Sequence, residues 1–118
     1  MSRSERLLAH FIGGLRRPAG VGSVSYSWPL IGLYVFADHL EFGPGFRFMR
    51  RISRPVRVFR AEDVAIVGST GYGVRFTFID GERWIFGRCD VPRVLGALSS
   101  QGIEMANSIE PANWLPPL

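Results

Sequence analysis

From Val24 onward the apolar residues fall in short runs separated by turn residues, the pattern of a chain of short strands. Leu30 to Phe36 (LIGLYVF) puts Leu33 and Val35 on one face and Tyr34 and Phe36 on the other. Ala37-Asp38 predicts a tight turn, and His39 to Phe42 a returning strand stopped by Gly43-Pro44-Gly45. Residues 46–51 read as an extended piece, set off by Pro55 from a strand at 56–60 whose arginines would lie on its wet face. Ala61-Glu62-Asp63 reads as a short turn before a strand at Val64 to Gly68.

Val74 to Ile79 and Arg83 to Arg88 form the clearest hairpin, turning at Asp80-Gly81. A two-residue turn would leave aromatics on both faces. A three-residue loop gathers Val74, Phe76, Phe78, Trp84 and Phe86 on one face and is preferred, because a slip of one residue flips every side chain. Asp90 then caps a helix, with Pro92 in its first turn, Val91, Val94, Leu95 and Leu98 as one stripe, and Gly102 ending it.

Ahead of the strands, residues 4–16 carry Leu7, Leu8, Phe11, Ile12 and Leu15 at helical spacing behind Ser4 as N-cap. This predicts an amphipathic helix packed on the domain or on a second copy, with a membrane-surface helix as the alternative. The expected organisation is residues 1–22 as helix and linker, 23–102 as a β domain with its helix, and 103–118 as an irregular tail.

Composition narrows the function classes. The 118 residues suit a single globular domain, and Gly 14 and Pro 8 fit a turn-rich β chain. All basic residues are arginine, planar forks suited to carboxylate or phosphate. Cys89 is the only cysteine, so neither an intramolecular disulfide nor a cysteine metal cage can form, and a cytoplasmic setting, with or without membrane association, is expected. No apolar run approaches the ~18 residues of a membrane span. His10 and His39 stand near no paired carboxylates, and no HExxH, GxSxG, P-loop or CxxC pattern occurs. The expectation is a non-enzyme with no catalytic residues, no metal and no cofactor.

Charge marks one segment. Phe46 to Arg60 (FRFMRRISRPVRVFR) holds six arginines and no acidic residue, with Phe46, Phe48, Met49 and Ile52 threaded between them. Arg47, Arg50, Arg51 and Arg54, ahead of Pro55, are the candidates for touching an acidic partner. Nucleic acid is disfavoured, because Phe48 and Phe59 in strands would be core rather than stacking platforms. A protein partner or self-association into a homo-oligomer is favoured by the spare aromatics and the Trp-Leu-Pro-Pro tail. An anionic membrane surface is the alternative, at roughly 1 kcal/mol per engaged arginine.

Several antiparallel strands followed by one amphipathic helix resemble the pleckstrin-homology-like and GRAM-like domains. The residues carrying the likeness are Trp28-Pro29-Leu30, Leu33 to Glu41, Glu62 to Ala65, Val74 to Phe78 and Asp90 to Leu98. The resemblance implies a small antiparallel barrel or sandwich closed by the C-terminal helix, and a docking module rather than an enzyme. Lipid-binding members keep basic residues between their first two strands, where this chain has Ala37-Asp38-His39. No binding residue is therefore carried over.

Overall fold

In the computed structural model, residues 6–17, 24–70 and 73–106 are described, apart from the side chains of Val24 and Arg51. Seven strands run in chain order: β1 (Leu7–Arg17), β2 (Val24–Phe36), β3 (Leu40–Pro44), β4 (Arg57–Phe59), β5 (Val64–Ser69), β6 (Gly73–Phe78) and β7 (Arg83–Gly87). They form one antiparallel sheet in the order β4-β3-β2-β1-β7-β6-β5. One helix, α1 (Val91–Ser100), follows.

The N-terminal helix is corrected. Leu7–Arg17 is a strand at the centre of the sheet, paired with β2 along its length and with β7 at Gly14–Arg16. The helical spacing of its leucines is outweighed by Gly13-Gly14, which are poor helix formers but fit close inter-strand contact. A Cβ at Gly13 would lie 2.6 Å from Gly87 O. Ser4 as a cap, the linker around Pro18 to Gly22 and the tail from Asn107 lie outside the described residues.

The hairpin follows the three-residue loop. Phe76 pairs with Trp84, and the Phe78 and Gly81 amides bond to Glu82 O and Phe78 O. Gly81 takes the left-handed conformation at φ 92° that such a loop requires. Phe76, Phe78, Trp84 and Phe86 accordingly share the core. Leu33 and Val35 face the same core, and Tyr34 and Phe36 the opposite side, as their alternation predicts.

The sheet folds on itself around Phe42. Its ring centroid lies 5.1 Å from Phe76 and 5.8 Å from Phe86, while Phe59 meets Phe78 at 5.1 Å. This sets β3 and β4 against β6 and β7, and the 3₁₀ turn Ala61–Asp63 spans the two sheet edges. Edges β4 and β5 are not paired, so the sheet is not closed. Helix α1 packs Val94 and Leu98 into the core, with Asp90 capping the Arg93 amide. Ile103 is buried beyond it, and Met105 bridges Val67 alongside β5.

The wet face expected for the strand at 56–60 is corrected for Arg57, while Arg60 is exposed. Arg57 lies with Phe59 on the inner side, its guanidinium 3.7 Å from the Phe78 ring centroid and 3.5 Å from Glu82. Glu82 also accepts from Arg17 at 3.0 Å and from Trp84 Nε1 at 3.3 Å. An aromatic face and a carboxylate together outweigh the arginine's preference for water.

Candidate functional site

The part of the arginine segment ahead of Pro55 is neither strand nor free loop. Arg47–Arg51 forms a 3₁₀ turn laid over the outer face of β2 and β3. Its threefold period sorts neighbouring residues to different sides, which a two-residue alternation could not anticipate. Beneath it, Tyr34, Phe36, His39 and Glu41 are buried on what would otherwise be the solvent side of the sheet.

Arg50 fastens the turn. Its Nε donates to Glu41 Oε1 at 2.9 Å and its Nη2 to Oε2 at 2.9 Å, a bidentate fork. The same guanidinium lies 4.6 Å from the centroid of the Phe36 ring, which in turn stacks on His39 at 4.5 Å. His39 Nε2 lies 3.2 Å from Glu41 Oε2, and Nδ1 lies 2.7 Å from Asp38 Oδ1. Burial pushes the Glu41 carboxyl up, but the bonds and charges of Arg50 and His39 outweigh it and hold the group below its ordinary value. Alongside, His10 stacks on Tyr34 at 4.3 Å, and burial, with Arg47 nearby, lowers its pKa.

The turn shows large apolar side chains to water beside the exposed Arg47. Phe48 is 71% and Ile52 79% exposed, and Phe46, at 47%, stacks on Phe48 with centroids 6.0 Å apart. Leu30, also exposed, lies beside them through the bond from Gly45 N to Leu30 O at 2.9 Å. The expectation that Phe48 would be core is thereby overturned, whereas Phe59 is core. Phe48 and Ile52 stand out because Arg50 takes the inward position.

The four candidate arginines divide accordingly. Arg50 is committed to Glu41 and Phe36. Arg47 and Arg54 are exposed beside the apolar residues. Arg51 belongs to the turn, and its side chain lies outside the described residues. The sequence reading did not place Glu41 in this site, and its expectation that His39 stands near no paired carboxylates is overturned by Asp38 and Glu41; the available signal was an acid between Leu40 and Phe42 near an arginine run.

Elsewhere, Cys89 does not take the low pKa that a helix start can impose. Burial pushes its thiol up to about 11, and Sγ donates to Phe86 O at 3.3 Å. Among the described residues no helix is long and apolar enough to cross a membrane, and no cluster of His, Cys, Asp and Glu is arranged to hold a metal ion. No protein-family model matches the chain, and no curated protein matches it either.

Proposed function

We propose that this chain is a non-enzymatic interaction module of the pleckstrin-homology-like kind, docking onto protein through the turn at Phe46–Arg54. The observation that carries this is the inverted polarity of the turn: an arginine inside, Phe48 and Ile52 outside. Large exposed apolar side chains held in place by a half-buried ion pair are costly in water and useful at an interface. The strand order with one following helix supports the fold resemblance. The occupied, ring-stacked His39 supports a non-catalytic reading, since neither of its nitrogens is left to face a substrate.

A second copy of the chain is the partner the charges favour, in a head-to-tail arrangement. Glu41 and Glu82 are already taken by Arg50 and Arg57 within the chain, so the exposed Glu62 and Glu104 are the carboxylates offered to a neighbour's Arg47 and Arg54. Two-fold pairing of the turn with itself would oppose arginine to arginine. Light scattering tests this. The wild type is expected to associate as concentration rises, less so at high salt, and Phe48→Ser/Ile52→Ser to remain a monomer. A wild type that stays monomeric at low and high salt would overturn it.

An anionic membrane is the second reading, favoured by Arg47 and Arg54 flanking the apolar residues. Covering the exposed parts of Phe48 and Ile52 is worth about 3–4 kcal/mol and two arginines about 2, together a dissociation constant on the order of 0.1 mM. Co-sedimentation with phosphatidylserine vesicles, abolished by the same double substitution, would select it. Absence of pelleting at low salt would remove it.

A further inference from the structure

The entry to the docking turn rests on two rings from the sheet beneath it. His10 of β1 and Tyr34 of β2 stand opposite each other in the ladder, and their rings stack 16° from parallel. The Tyr34 hydroxyl donates to Pro44 O, and the His10 ring donates to Gly45 O. Two successive carbonyls just ahead of the turn are thus held by two neighbouring rings.

Gly32 makes the room for this arrangement. A Cβ there would lie 2.7 Å from His10 Nε2, 3.1 Å from Pro44 O and 3.1 Å from the Tyr34 ring. Nε2 of His10 is buried and has no hydrogen-bond partner among the described residues. The neutral ring therefore carries its proton on Nδ1, the nitrogen left to donate to Gly45 O.

An imidazolium cannot be seated in the same way. Its second N–H, on Nε2, would lie against Gly32 without an acceptor, and an unpaired charged donor out of water is costly. Arg47 faces His10 from the turn and opposes a second cation. Tyr34 faces it from β2, and Arg50 lies 5.6 Å from the Tyr34 ring centroid. Glu41, which also acts on Tyr34, is held by Arg50 and His39.

We propose that His10 is an acid-release latch on the docking turn: the neutral ring holds the entry at Gly45, and the protonated ring lets it go. The consequence for docking rests on the reading of Phe46–Arg54 as the docking surface; the latch itself does not. The direction with pH is fixed. Burial outweighs the Gly45 bond and, with Arg47, sets His10 below its ordinary value of 6.5. The released ring takes up a proton more readily, so the stabilisation of the closed turn is complete above 6.5 and is lost as pH falls through the folded value.

Amide and histidine-ring chemical shifts of the dilute full chain test the latch between about pH 7.5 and about pH 5. The amides from Gly45 to Ile52 should move with the midpoint of the His10 ring, below 6.5, while those of β6 stay in place. His10→Asn keeps a donor at the Nδ1 position and cannot titrate, so its turn should hold still across the same range. Light scattering at both pH values adds the docking readout: the wild type should lose association in acid, and His10→Asn should keep it. Static turn amides while His10 titrates, or a His10 midpoint at or above 6.5, would overturn the latch. So would equal turn shifts in His10→Asn, which retains His39 and would assign them to that ring. Turn amides that move in a wild type that never associates, or associates equally at both pH values, would uphold the latch and overturn the docking reading.

Discussion

Arg50→Met separates the ion pair that holds the docking turn. The Glu41 side chain is 6% exposed and that of Arg50 27%, so the pair lies between two limits. Exposed pairs contribute about 0–1 kcal/mol, and breaking a fully buried pair costs about 3–5 kcal/mol by stranding a charge. A loss of about 2–3 kcal/mol at neutral pH is therefore expected, measured by urea unfolding. The sign with pH follows from Glu41. Its folded pKa lies below the ordinary value, so its stabilisation is present above that value and is lost as pH falls through the folded pKa. In Arg50→Met burial is opposed by His39 alone, the carboxyl protonates more readily, and the penalty should shrink near pH ~4. Adding Glu41→Gln should recover about half or more of the loss, because no charge is then stranded. A penalty below about 0.5 kcal/mol, or one equal at both pH values, would refute the fastening role of Arg50.

Three further outcomes follow from the same geometry. Phe48→Ser/Ile52→Ser should change stability by no more than about 0.5 kcal/mol, since both side chains lie in water; a loss above about 2 would show that they are packed. Gly45→Ala should cost more than about 2 kcal/mol in chemical denaturation, because its Cβ would overlap the Pro29 carbonyl; a neutral effect would mean that Gly45 does not lie against Pro29. Cys89, with its thiol at about 11, should alkylate roughly a hundredfold more slowly than a free cysteine at mildly alkaline pH, and a rate matching free cysteine would contradict its burial.

Much of the β architecture was legible because period-two alternation and turn residues agree. The hairpin from Val74 to Gly87 declared its own loop length, since only a three-residue connection gathers the aromatics on one side. Asp90, Pro92 and the Val91–Leu98 stripe marked the helix in the same way. The N-terminal strand was illegible because the largely apolar run from Leu7 to Leu15 satisfies helical and extended patterns alike, and some of its partners lie far along the chain. Arg57 and Phe48 misled for a common reason. Residue type suggested their faces, while an aromatic-carboxylate pocket drew one arginine inward and a 3₁₀ turn pushed a phenylalanine out. The sequence sets Glu41 near an arginine run, but nothing local says that Arg50 is the arginine it captures. Arg47 and Arg54 remain where their charge suggested, at the surface of the turn.

The central claim is that Phe46–Arg54 is the surface through which this module docks. Amide chemical shifts followed from dilute to concentrated protein test it most directly. The expected result is a set of shifts confined to Phe46–Arg54 and one acidic surface, weakened by salt and lost in Phe48→Ser/Ile52→Ser. Shifts that cluster elsewhere, or a spectrum that stays unchanged across the whole range, would contradict it.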